Sequence, residues 1–342
     1  MNFCSDNVSG VSPEILAALG AVNNGSAMPY GADEVTKNVV KKFRELFEAP
    51  KAEVILMATG SSANALALAT MTPPFGAIYC HPDSHVNVDE CGAPEFFSGG
   101  AKLVTVGGQA GKMTADALNS AINGADVVHH VQPAAVSVTQ VTEVGTIYTL
   151  DELRAISAVC KAHGLKLHMD GARFANAIEA MKVSPAACSH VLGVDALSFG
   201  ATKNGAMCAE AILFFDSALA REAGYRRKRG GHLFSKMRYL SAQFDAYLAD
   251  DLWRRNARHS NTMATRLAAG LSTISGVEFA YPVEANELFV RLPLPVIEGL
   301  LADGFMFYRW EPDGSLIRIV TTFDTAEADV DLFVQTASRL AG

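Results

Sequence analysis

The chain contains no run approaching the roughly 20 continuous apolar residues of a membrane span. Its opening, Met1-Asn2-Phe3-Cys4-Ser5-Asp6, lacks a basic region followed by an apolar one, so no targeting segment is expected. Basic residues are in the minority: 28 Lys and Arg against 36 Asp and Glu leave a net charge of -8 and a pI near 5.6. A general nucleic-acid binder needs a dense basic surface to neutralise phosphates, which disfavours that class. The one basic run, Arg226-Arg227-Lys228-Arg229, is open to two readings, a solvated helix face or an anion site. Six cysteines form no CxxC pair and no grouping with histidine, which argues against structural zinc. Several sit in apolar stretches, where they fit reduced thiols in a cytoplasmic protein. Neither GxGxxG nor the phosphate-loop pattern GxxxxGK is present, which disfavours a nicotinamide-dependent dehydrogenase or a nucleotide hydrolase. There is no internal repeat, low-complexity tract or floppy linker.

What the chain does have is length and apolar content. Its 342 residues, 49% hydrophobic and 19% charged, suffice for one large domain and a smaller one. Ser12-Pro13-Glu14 signals a first helix, and Asp33 caps a second whose Val35, Val39, Val40, Phe43 and Phe47 recur at helical spacing. From residue 53 onward short apolar runs alternate with helical segments. Buried strands are expected over 54–58, 77–80, 103–106, 127–131, 165–169 and 196–199. Helices are expected over 62–71, 115–122 and 150–163, the last with a capping box from Thr149 and Glu152. The economical arrangement is an α/β fold, a mostly parallel sheet covered on both faces, with ligands at the carboxyl ends of its strands. His129 and His130 read as packed strand residues in this scheme. Beyond it come a strand over 211–215, a long helical stretch over 236–271, and a strand-strand-helix-strand-strand-helix order that suits a small α+β domain. The expected division is an N-terminal segment 1–20, a large domain 21–250 and a small domain 251–342.

Three strand ends carry chemistry. Ser198-Phe199-Gly200-Ala201-Thr202-Lys203-Asn204-Gly205 places a lysine in a small-residue turn directly after an apolar strand. Partial desolvation there favours the neutral, nucleophilic amine that an aldehyde cofactor requires, although the turn alone equally describes a surface lysine. Leu167-His168-Met169-Asp170-Gly171-Ala172-Arg173 ends another strand of the same sheet in a carboxylate, which can pair with a protonated pyridine nitrogen. In Met57-Ala58-Thr59-Gly60-Ser61-Ser62-Ala63-Asn64 a strand passes through a small polar turn into a helix, and free N–H groups and hydroxyls converge there on a phosphate, or a serine simply caps the helix. Phosphate turn, aspartate and lysine, in that order, serve one chemical purpose, binding pyridoxal 5'-phosphate.

With these three elements and the opening Phe3-Cys4-Ser5-Asp6-Asn7, essentially the whole chain resembles the L-threonine aldolases of the β-eliminating lyase group. The resemblance implies the aspartate-aminotransferase-like fold and a homotetramer, a dimer of dimers with shared active sites. It makes Lys203 the Schiff-base lysine, Asp170 the partner of the pyridine nitrogen, and Gly60 and Ser61 the phosphate holders. His85 becomes the histidine that stacks on the cofactor ring and helps move protons. Ser5, Arg173 and Arg318 bind the substrate carboxylate, with Arg173 also placed beside the cofactor, and Arg229 reaches the phosphate, from this or a neighbouring subunit. Arginine suits carboxylates because its planar fork donates two parallel hydrogen bonds. Arg318 also interrupts an apolar strand, Leu316-Ile317-Arg318-Ile319-Val320, where a charge needs a partner, be it substrate or a structural ion pair. One feature departs from some relatives: where they carry a second active-site histidine, this chain has Thr139-Gln140-Val141-Thr142-Glu143-Val144-Gly145, and neither Gln140 nor Glu143 is assigned that role. The implied reaction is reversible cleavage of threonine, allo-threonine and related β-hydroxy-α-amino acids to glycine and an aldehyde. The competing readings are phenylserine or α-methylserine aldol cleavage, β-elimination, transamination, or cofactor binding without turnover.

Overall fold

The computed structural model describes all 342 residues. Thirteen strands follow along the chain: β1 (Glu53–Met57), β2 (Gly76–Cys80), β3 (Lys102–Thr105), the short hairpin β4 (Gly108–Gln109) and β5 (Lys112–Met113), β6 (Gln132–Thr139), β7 (Lys166–Gly171), β8 (Ala196–Gly200), β9 (Glu210–Phe214), β10 (Glu278–Phe279), β11 (Glu287–Arg291), β12 (Tyr308–Arg309) and β13 (Leu316–Val320). The large sheet runs β1-β9-β8-β7-β6-β2-β3. Only β9 opposes the others, pairing antiparallel with β1 and β8. Every residue of β2, β8 and β9 is buried, as helices on both faces require. The small sheet, β10-β11-β13-β12, is antiparallel.

Local signals explain most elements. Asp33 Oδ1 accepts from Thr36 N at 2.8 Å to start helix Glu34–Leu46, and the box between Thr149 and Glu152 is complete in both directions. Three expectations need correction. The strand expected over 127–131 begins instead at Gln132, and Val128, His129 and His130 lie in exposed turns. Pro133 and the small residues after it hide this strand, because proline cannot donate to a ladder; the β2 register shifts opposite it to accommodate the ring. The stretch over 236–271 is two helices, Arg238–Tyr247 and Leu252–Leu271, separated where Asp250 and Asp251 take φ of 49° and 55°. Aspartate tolerates that left-handed backbone better than most residues. Ser12 makes no side-chain cap; its Oγ accepts from Asn256 Nδ2 at 3.0 Å.

Phe199 of β8 organises the core on one sheet face, its ring 5.4 Å from Phe43, 5.9 Å from Phe47 and Phe174, and 6.2 Å from Trp253. A separate apolar core lies under the small sheet, and Phe3 belongs to it. The N-terminal segment is pinned there by Phe3 N to Met306 O at 2.8 Å and Val320 N to Phe3 O at 2.9 Å. Within a few residues the chain then crosses to the large sheet.

Strands β7 and β8 leave the sheet side by side. A Cβ at Gly200 would sit 2.6 Å from Ala172 O, and one at Gly171 2.7 Å from Ser198 O. Backbone on both sides cannot yield cheaply, so Gly200→Ala is expected to cost about 1–3 kcal/mol. Denaturant unfolding measures this, and an unchanged midpoint would contradict the close approach.

Candidate active site

That tight exit brings the strand-end residues to one place. A cavity of about 350 Å³ opens at the carboxyl edge of the sheet, walled by Thr59, Gly60, Ser61, His85, Asp170 and Lys203. Asn7 and Glu210 also border it. The cap of the phosphate turn is Thr59, not a serine: its Oγ1 accepts from Ser62 N, leaving Gly60 and Ser61 as the first residues of a 12-residue helix. Their N–H groups belong to the first turn, which has no intrahelical acceptors.

Lys203 lies in the short turn Thr202–Asn204 and is half-buried. Asn204 locks this turn, donating to Tyr247 Oη at 2.6 Å and to Trp253 O at 2.8 Å. Asp170 is 2% exposed, and its carboxylate accepts from Ala172 N at 3.0 Å and Asn64 Nδ2 at 2.8 Å. His85 Nδ1 lies 2.9 Å from Glu90 Oε1, and that contact raises the proton affinity of the ring against the opposing effect of burial. Burial pushes the Glu210 carboxyl up to about 7, with Thr202 and Lys203 pulling the other way.

Ser5, Arg173 and Arg318, the expected carboxylate-binding group, do not line this cavity. Arg173, 3% exposed, is gripped by Asp6 at 2.9 Å and 2.6 Å and approaches Glu287 Oε1 at 3.2 Å. Arg318 donates to the same oxygen at 2.5 Å and 3.1 Å, its guanidinium 5.4 Å from the Trp310 ring centre. Both arginines thus have structural ion-pair partners, yet the Nη1 groups of neither are used in these pairs. Ser5 Oγ caps the following turn by accepting from Asn7 N at 3.2 Å, next to Asp6. Arg229 is not part of the cavity; it borders a second cleft with Phe96 and Tyr225.

Of the two residues left unassigned in the segment after β6, Gln140 is fully buried and exchanges hydrogen bonds with the Tyr148 backbone, a structural task. Glu143 does not line the cavity; burial raises its carboxyl, while the charges of Lys203 and Arg173 lower it. Asn64, Glu90, Glu210, Asp6 and Glu287 were not singled out from the sequence. Polar residues inside apolar elements, as at Asn64 and Glu287, were the available signal.

The cavity suits pyridoxal phosphate on its own chemistry. One lysine lines it, a buried carboxylate keeps acceptor capacity for a ring N–H, and a helix start offers donors to a phosphate. Its volume lies in the range of small-ligand sites.

Comparison with known proteins agrees. The Beta-eliminating lyase family model matches residues 2–293. A low specificity L-threonine aldolase from Pseudomonas sp. strain NCIMB 10558 is 44% identical over 96% of this chain and 94% of its own. One from Pseudomonas aeruginosa is 45% identical over 94% of this chain and 93% of its own. The solved Leishmania major threonine aldolase superposes with a TM-score of 0.94 at 34% identity, covering 100% of this chain and 99% of its own. Mouse CSAD, 19% identical over 99% of this chain and 83% of its own, shares the fold with a TM-score of 0.79.

Burial pushes the Asp6 carboxyl up, but Arg173, with Lys203 and Asn286, outweighs it and holds Asp6 well below the usual carboxylate range. A depressed folded value means the stabilisation is complete above the unfolded value of about 4 and is lost as pH falls through the folded one. Asp6→Asn is expected to cost about 3 kcal/mol at pH 7. The gap from wild type should narrow in acid below pH of about 4, and a pH-independent gap in urea titrations would contradict the pairing.

Proposed function

The chain belongs to the beta-eliminating lyase family, and we infer that it is a pyridoxal-phosphate-dependent carbon-carbon lyase of the L-threonine aldolase type. It cleaves L-threonine, L-allo-threonine and related β-hydroxy-α-amino acids, reversibly, to glycine and an aldehyde. Its fold is aspartate-aminotransferase-like. The observation that carries the site assignment is the meeting of Lys203, Asp170 and the Gly60–Ser61 turn in one cavity.

When bound, the cofactor supplies an electron sink conjugated to the substrate amine. Lys203 would be the residue that anchors it covalently. Asp170 offers its buried carboxylate to the protonated ring nitrogen, and Gly60 and Ser61 hold the phosphate at the helix start. Arg173 and Arg318, with Ser5, orient the substrate carboxylate through the guanidinium positions that Asp6 and Glu287 leave free. Such orientation would select which bond at Cα breaks. The β-hydroxyl proton leaves to a base, the Cα–Cβ bond breaks, the aldehyde departs and Cα takes up a proton to give glycine. His85, on the cavity wall, is the titratable group we assign to these transfers.

The division into 1–20, 21–250 and 251–342 accompanies this reading. It is supported by the two separate cores and by helix Leu252–Leu271, which packs on both. A homo-oligomer with shared sites is supported by the exposed Phe96 and Tyr225 beside Arg229, which gives that arginine a route to another subunit's phosphate. No helix is long and apolar enough to cross a membrane, and all six cysteines are free, as in a reducing cytoplasm.

Purified protein incubated with pyridoxal phosphate and, separately, L-threonine, L-allo-threonine and phenylserine should release equal amounts of glycine and aldehyde. Lys203→Ala should lower kcat/KM by about three orders of magnitude or more. Keto acid or ammonia in place of aldehyde would overturn the aldolase assignment.

A further inference from the structure

Asn64 on the cavity wall, and the buried Glu90 bonded to it, are left unused by the mechanism. The Glu90 side chain is 0% exposed, and its Oε1 takes two contacts, His85 Nδ1 at 2.9 Å and Asn64 Nδ2 at 2.9 Å. Asn64, 2% exposed, sends its other amide hydrogen to Asp170 Oδ2 at 2.8 Å. An amide nitrogen has two hydrogens, and each meets a different carboxylate here. The orientation is chemically forced, because turning the amide would set its oxygen against both carboxylates. The histidine is forced in the same way. An ionised carboxylate only accepts, so Nδ1 carries the hydrogen and the neutral ring keeps its lone pair on Nε2.

We propose that Glu90 and Asn64 are positioning residues that join His85 and Asp170 into one hydrogen-bonded unit. Glu90 holds His85 in the Nδ1–H form and leaves Nε2 as the nitrogen open to a ligand, while Asn64 ties the same carboxylate to Asp170. The histidine and the carboxylate assigned to the cofactor are thereby set together. This deepens the aldolase reading and rests on it for its purpose, the handling of the β-hydroxyl proton. The charged groups around His85 are Glu90, Asp170 and Glu143, which raise its proton affinity, and Lys203, which lowers it. Two buried acceptors of the unit, Glu90 Oε2 and Asn64 Oδ1, have no protein partner.

The test follows His85 directly. Diethyl pyrocarbonate acylates neutral imidazole nitrogen, and peptide mass spectrometry gives the rate at His85 as a function of pH in the cofactor-loaded full chain. Glu90→Gln, close in shape and uncharged, is expected to lower the midpoint by about one pH unit. Glu90→Asp, which restores the charge, should recover part of the shift. Asn64→Ala must move two readouts together, the His85 midpoint and the cofactor dissociation constant, the latter rising about tenfold. Steady-state kinetics should show Glu90→Gln lowering kcat with little change in KM, which a role in packing alone would not produce. A midpoint unmoved in Glu90→Gln, or a wild-type His85 that does not react, overturns the proposal. Movement of only one readout in Asn64→Ala overturns the coupling to Asp170. Because acylation is read on the protein itself, absence of aldehyde product would sink the aldolase reading and leave this test intact.

Discussion

Everything at the carboxyl edge of the large sheet depends on one constraint: a carboxylate, Asp170, is held out of water at the end of β7. An isolated buried carboxylate would be protonated or expelled. This one is kept by two donors, the Ala172 amide and Asn64 Nδ2, each supplied by a different element. The helix that carries Asn64 is the one whose start forms the phosphate turn, so the demand of Asp170 for donors also sets where that turn lies. Glycines at 171 and 200 then let β7 and β8 leave the sheet in backbone contact, which puts Lys203 on the same cavity.

A second set of buried charges binds the small sheet to this edge. Asp6 follows the N-terminal segment that is paired with Met306 and Val320, and it grips Arg173 just beyond β7. Glu287 at the start of β11 receives Arg173 and Arg318 on one oxygen. Two cations and two carboxylates out of water offset one another, whereas loss of one partner strands the rest. The substrate carboxylate would join a group already close to neutral, through the guanidinium positions left over. Recognition on the proposed reading would be geometric as much as electrostatic, in keeping with the use of arginine rather than lysine.

The parts of the fold legible in sequence were those with a local cause. The capping box at Thr149, the Asp33 cap and the buried strands around Leu167 and Leu197 follow from residues close in the chain. Gln132–Thr139 was obscured because its apolar neighbours 127–131 outcompeted a proline-containing, small-residue strand that only sheet context stabilises. Lys203, Asp170 and the Gly60–Ser61 turn were legible because each ends a strand, and strand ends of one sheet converge. His85, in a polar stretch that the structure shows as the start of the short helix His85–Val88, was assigned through the family resemblance and lines the same cavity. Asn64, Glu90 and Glu210 stayed hidden. Asn64 acts through contacts 26 and 106 positions along the chain, to Glu90 and to Asp170, and no local pattern marks such pairs. Arg229 shows the converse: a basic run is visible in sequence, but the cavity it was expected to serve is not the one it borders within this chain.

The most direct test of the account is borohydride reduction of the cofactor-loaded protein, followed by peptide mass mapping. A single reduced pyridoxyl adduct on Lys203 is the predicted result, because Lys203 is the one lysine on the cavity wall. An adduct on another lysine, or none with cofactor demonstrably bound, would contradict the convergence of β7, β8 and the phosphate turn on one reactive site.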